Sequence, residues 1–187
     1  MHPHTSCVPG SPPSTSPAAC RYFLSVVAPV FSDRRYLAGA GLGAWEQDER
    51  EEPRRIHVSS VDSLAPSTLS FGLPADEDSA AAFRPATRMR PKTGALRLSG
   101  YSSLDLVDVA HGATQGHFEA GVDHADVAAG LLILAEAGGV STDGRGDFIH
   151  PRSSAGPINL AASNGRIHGE MLHTLSKIKT APAAHAA

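Results

Sequence analysis

The sequence predicts an α/β fold on three observations. A short β-branched apolar run at 23–30 is followed by further strand-length segments bounded by glycine, proline and charge. The stretch from Asp126 to Ala137 is apolar nearly all round and closes on Gly138-Gly139, as a buried helix with a glycine cap does. Strand-like and helical segments then alternate towards the C-terminal end. The 187 residues suit one domain, bounded here as 20–178, between a lead at 1–19 and an Ala-rich tail at 179–187.

Each element has its own reason. Residues 1–19 carry five prolines, four serines and no Asp, Glu, Lys or Arg, a composition expected to stay disordered because it has too little apolar surface to offset ordering entropy. The run at 23–30 and Tyr36-Leu37-Ala38 flank a charged turn at Asp33-Arg34-Arg35 and read as two paired strands. Gly39 to Trp45 reads as a glycine turn between strands. A nucleotide cradle would need a Gly-Lys-Ser/Thr ending that is missing here. Glu46 to Arg55 is expected as a solvated loop, and Ile56-His57-Val58 as another short strand. Leu69 to Leu73 reads as a strand and Asp78 to Arg84 as part of a helix, with Pro74, Pro85 and Pro91 interrupting anything longer. Arg88, Arg90 and Lys92 form a small basic group, read as a solvated loop rather than an anion site. Ser102 or Ser103 is placed to cap a helix through Leu106, Val109 and Ala110 that Gly112 ends. Phe118-Glu119, Val140–Thr142 and Ile158–Ala162 read as strands, and a last amphipathic helix runs through Ile167, Met171, Leu172, Leu175 and Ile178.

Composition excludes several classes. Sixteen Lys and Arg against nineteen Asp and Glu leave a net charge of −3, so there is no basic field for a nucleic-acid backbone. The longest uncharged apolar stretch, Val127 to Ala135, is nine residues, whereas a membrane span needs about 20. The chain is therefore expected to be soluble. Cys7 and Cys20 form no Cys-x-x-Cys pair, and no basic segment followed by an apolar one precedes the domain. The expected compartment is a reducing cytoplasm, without disulfide framework or zinc site.

Two carboxylates stand out. Asp126 begins the apolar helix, where it suits an N-cap and, less commonly, a metal ligand. Glu119 lies seven residues earlier at the end of a strand and reaches the same edge if Ala120 to Ala125 connect tightly.

Several segments together resemble the inositol monophosphatase family. Arg97-Leu98-Ser99-Gly100-Tyr101-Ser102-Ser103-Leu104-Asp105, Phe118-Glu119-Ala120-Gly121, Asp126-Val127-Ala128-Ala129-Gly130 and Glu136-Ala137-Gly138-Gly139 occur in that family's order and spacing. Asn159 to Asn164 is similar to the strand before its last helix, and Val26–Val30, Gly41–Trp45 and Ile56–Ser59 to its central strands. The resemblance covers about residues 20 to 178. It implies the C-terminal portion of a layered sheet-and-helix sugar-phosphatase architecture and a Mg²⁺-dependent phosphomonoesterase, with the ion held by carboxylates and substrate phosphate. On that likeness Asp126 corresponds to a metal-binding aspartate and Glu119 to the acid that bonds substrate hydroxyls. Gly100, Tyr101 and Ser102 correspond to the polyol side of the pocket. The partner implied is a small phosphorylated polyol such as inositol phosphate, with histidinol phosphate and a nucleotide 3′-phosphate as rivals.

The chain also departs from the family. No Asp-Gly-Thr occurs, and Glu51-Glu52 follows the Val26–Val30 strand instead of preceding it. Ala125 stands where a tryptophan is usual, and Tyr101 replaces a small residue. The expectation is a partial metal site, weak Mg²⁺ binding and impaired activity in a truncated chain. A homo-oligomer that covers exposed apolar surface is also expected. The competing reading is a non-catalytic module that binds a partner subunit or a polyol.

Overall fold

A computed structural model describes residues 24–30, 32–48, 50–73, 82–149 and 157–176. The expected disordered lead, the tail, most of the proposed 78–84 helix and Ile178 lie outside the described residues.

β1 (Leu24–Val27), β2 (Arg35–Gly39), β3 (Gly43–Gln47) and β4 (Arg54–Arg55) form an antiparallel meander in chain order. Leu37 pairs with Val26 on one side and Trp45 on the other. The β2–β3 turn needs positive φ at Gly41 and Gly43, which only glycine takes without strain. Its amides are occupied from within: the N–H groups of Gly41 and Gly43 each donate to the Glu136 carboxylate at 2.8 Å. The glycine loop is thus a seat for an internal carboxylate, which excludes the phosphate cradle.

Two expectations fail in this sheet. The run from Glu46 is not uniformly solvated, because Glu46 belongs to β3 and its side chain is only 8% exposed. Arg34 bonds its Oε1 at 3.0 Å, Arg54 bonds its Oε2, and His111 Nε2 lies 3.4 Å from Oε2. Burial alone would raise the Glu46 carboxyl, but the Arg54 hydrogen bond and the charges of His111, Arg54 and Arg34 hold it below its ordinary value. A depressed carboxylate contributes stability above its unfolded pKa of about 4.3, and that contribution is lost as pH falls through the folded value. Glu46→Gln is therefore expected to lower stability by about 1–2 kcal/mol at pH 7, because both arginines are half-exposed and can rehydrate. Urea unfolding should show that difference shrinking as pH is lowered below about 4; a difference that stays constant with pH would refute the ion-pair account. The second failure is Ile56–Val58, which is not a strand. The strand ends at Arg55, and although Ile56 N–H still bonds Ala44 O at 3.0 Å, Val58 N–H turns to Ala137 O at 3.2 Å.

The second sheet contains β5 (Thr68–Phe71), β6 (Ala95–Arg97), β7 (Gly116–Val122), β8 (Val140–Asp143) and β9 (Ile158–Ser163) in the order β6-β5-β7-β9-β8. β5 runs parallel to β6 and β7, whereas β9 runs antiparallel to β7 and β8. Helix α1 (Arg84–Met89) begins later than the sequence suggests, with Pro85 in its first turn, where a missing N–H costs nothing. A 3₁₀ turn at Arg90–Lys92 follows. The basic group there is partly committed to structure: Arg90 donates to Thr93 O at 3.2 Å and Lys92 to Thr174 Oγ1 at 3.2 Å.

Helix α2 (Ser102–Ala110) has Tyr101 at its N-cap with no side-chain cap, contrary to the expected Ser102 or Ser103, and Gly112 follows its end with φ +82°. Helix α3 (His124–Glu136) is capped by Asp123, whose Oδ1 accepts from Ala125 N–H at 2.9 Å. The N-cap expected at Asp126 therefore sits three residues earlier, and Asp126 lies in the first turn. The C-terminal reading holds, with Gly138 at φ +90° and Gly139 N–H bonded to Leu134 O at 2.9 Å. Helix α4 (His168–Ser176) ends the described chain.

Sequence parity places these elements in layers. On β9, Leu160 and Ala162 face α2 and α3, where they pack with Leu106, Val109, Ile133 and Leu134; Tyr36 and Ala44 of the first sheet close that core from the opposite side. Ala161 faces the other way, towards Met89 of α1 and Met171 of α4. The order is therefore sheet, helix pair, sheet, helix pair. β7 obeys the same alternation until a bulge between Glu119 and Val122, where one extra residue shifts the register against β9. Phe118 thus points to the α1/α4 side while Val122, an even number of residues on, joins the α2/α3 core. His117 and Glu119, flanking Phe118, are left on the α2 face. Among the described residues no helix is long and apolar enough to cross a membrane.

Candidate functional site

Where the chain leaves β5 and β6, beside the start of α2 and the middle of β7, an open cleft of about 460 Å³ forms, lined by Gly72, Leu73, Leu98, Ser99, Gly100, Tyr101, Ser102, Asp105 and Glu119, the last in mid-strand and not at a strand end. Gly100, Tyr101, Ser102 and Glu119, separated by up to nineteen positions in sequence, are brought to this one cleft. Gly100 has φ +81°, turning the chain from β6 into α2, and Tyr101 is 66% exposed at the rim.

The polar groups behind the cleft form a connected set. Ser99 Oγ donates to Asp105 Oδ2 at 2.7 Å and accepts from Tyr101 N–H at 3.0 Å. His117 is fully buried, with Nδ1 3.0 Å from Ser70 Oγ and 3.7 Å from Asp105 Oδ2, and Nε2 3.3 Å from Glu119 Oε2. Burial pushes the Asp105 carboxyl above its ordinary value, against the lowering effects of the Ser99 hydrogen bond and the His117 ring. Gly72 makes room for Glu119: a Cβ at that position would stand 2.2 Å from Glu119 Cδ.

Asp126 is exposed in the first turn of α3 and is not among the residues lining the cleft. Its backbone is tied nearby, since its carbonyl accepts from Ser103 Oγ, next to the cleft residue Ser102. Among the described residues no three His, Cys, Asp or Glu side chains converge as a metal centre would require, and Asp76, Glu77 and Asp78 lie outside them. A single exposed carboxylate offers Mg²⁺ one of six oxygen positions, so the described donor set does not fit a resident ion by itself.

The sequence pattern alone assigns no site role to Ser70, Gly72, Ser99, Asp105 or His117. A signal existed for His117, which is two residues before Glu119 and therefore on its face of the strand. Ser70 and Gly72 carried none, because they meet β7 only through strand pairing.

Residues 21–180 match the inositol monophosphatase family. An inositol-1-monophosphatase of Synechocystis sp. is 31% identical over 163 residues, covering 82% of this chain and 51% of that protein. A putative Nus factor SuhB of Neisseria meningitidis serogroup B is 34% identical over 153 residues, covering 81% of this chain and 55% of that protein. The structure of an inositol monophosphatase from Anabaena superposes with a TM-score of 0.73 at 30% identity, over 83% of this chain and 61% of that one. The chain thus spans about half the length of the curated relatives it matches. With the family matched across the whole described region and the layered fold shared, the chain belongs to the inositol monophosphatase family.

Proposed function

We propose that the chain serves the hydrolysis of a small polyol phosphate ester, inositol 1-phosphate or a similar compound, and that the cleft receives the hydroxyl-bearing side of that ester. The observation that carries this reading is the Glu119 carboxylate, held at the cleft by His117 among the Ser99 and Ser102 hydroxyls. A carboxylate accepts hydrogen bonds from sugar hydroxyls, and among the described residues no Lys or Arg lines the cleft. Such a surface suits a neutral, many-hydroxyl group and disfavours a second phosphate on that side.

Magnesium enters through the family likeness, which assigns it Asp126. When bound it would neutralise the phosphate and activate water. Asp126 alone does not complete a site for it. That lone carboxylate also favours a second reading, in which the chain binds the polyol without turning it over.

Myo-inositol titrated into the full chain and followed by ligand-observed NMR tests the cleft. Binding is expected in the millimolar range, weakened about tenfold by Glu119→Gln, the worth of one hydrogen bond to a charged group. Gly72→Ala, whose new methyl displaces Glu119, should weaken it similarly while leaving the fold intact. Binding that ignores both substitutions would place the polyol elsewhere.

A further inference from the structure

The charged and polar groups around His117 come from three elements: Ser70 on β5, Asp105 on α2, and Glu119 on its own strand. Ionised Glu119 can only accept, so the imidazole nitrogen facing it at 3.3 Å must carry a proton. The other nitrogen, Nδ1, is then free to accept from the Ser70 hydroxyl at 3.0 Å. Asp105 Oδ2, at 3.7 Å, is beyond hydrogen-bond distance from Nδ1 and already accepts from Ser99 at 2.7 Å. We infer that His117 is a positioning residue: its Nε2–H holds Oε2 of Glu119, with the Ser70 hydroxyl donating to Nδ1 from behind, so that Oε1 is presented to the ligand.

A nucleophilic reading of the same constellation does not survive the geometry. Ser70 has no exposed surface, and it bonds the ring nitrogen that faces away from the cleft residue Glu119. A nucleophile needs access to the reacting atom. Ser70 and His117 instead form a buried support beneath the Glu119 carboxylate, whose side chain is itself only 9% exposed. The absent Cβ of Gly72 completes it: the Glu119 side chain passes over bare backbone on one side and is gripped by imidazole on the other. A side chain fixed this way loses little rotamer entropy when a ligand binds, which is how preorganisation raises affinity.

The inference rests on the polyol reading for its ligand but not for its geometry, so the test has two arms. In the first, ¹⁵N-resolved NMR of the histidine rings in the ligand-free full chain reads the His117 tautomer. A proton on Nε2 is expected, and Glu119→Ala should speed its exchange with water at least tenfold. A proton on Nδ1 alone would overturn the assignment. In the second arm, myo-inositol binding is compared among three proteins. His117→Phe keeps the ring volume without either nitrogen and is expected to weaken binding about tenfold. His117→Gln can return an amide N–H to Glu119 and should stay within about threefold of the parent. Equal losses in both variants would reduce His117 to packing, and no loss in either would also overturn the role. Should the parent bind no myo-inositol, the polyol reading fails while the tautomer measurement still decides whether His117 holds Glu119.

Discussion

Gly130→Ala is expected to destabilise the protein by about 1–2 kcal/mol, although the same change in an exposed helix interior gains roughly 1 kcal/mol. Gly130→Val is expected to cost about 3 kcal/mol or more, a large part of a domain stability of about 5–15 kcal/mol. The cause is the close approach of α2 and α3. A Cβ at Gly130 would lie 2.9 Å from Leu106 Cβ and 2.9 Å from the carbonyl oxygen of Ser103. A flexible side chain can rotate away, but a Cβ and a backbone oxygen cannot, so the helices must separate. Leu106, Val127 and Ile133, which share that core, would lose contacts together. Urea midpoints of the three proteins check this, and a Gly130→Ala variant more stable than the parent would show that the helices yield at no cost.

Phosphate release from inositol 1-phosphate by the 187-residue chain in excess Mg²⁺ is expected to stay at the buffer control. Metal-assisted ester hydrolysis needs an activated water and a neutralised leaving oxygen, each supplied by an ion in a fixed ligand set. Among the described residues no such set converges, and Asp126 is not among the residues lining the cleft that holds Glu119. Calorimetry with Mg²⁺ should show weak binding, weaker still in Asp126→Asn. Robust turnover abolished by Asp126→Asn would overturn this expectation and require further carboxylates, such as Asp76, Glu77 and Asp78.

The helix ending at Gly138-Gly139, the β1–β2 pair and the α/β alternation were legible because each depends on neighbours within a few positions. Periodicity and glycine stops record such neighbours directly. Helix starts were less legible. Asp123 and Asp126 are both suitable caps by type, and the choice fell to Asp123 because β7 ends at Val122 and the chain must turn there. Glu46 was misread as solvated because its partners Arg34, Arg54 and His111 come from three separate segments. No local pattern announces that a charge will be buried among them.

The cleft divides in the same way. Residue identities determined which groups could accept a hydroxyl, and the motif order around Gly100, Glu119 and Asp126 determined the family. Only the tertiary structure decided which of those groups meet. Parallel pairing of β5 with β7 sets Ser70 beside His117, and the bulge after Glu119 begins only once His117 and Glu119 share the α2 face. Strand register is a non-local property, set by the packing of α2 and α3 against one side of the sheet and α1 and α4 against the other. For that reason the sequence could nominate Glu119, while its support by Ser70, Gly72 and His117 emerged only when the sheet was assembled.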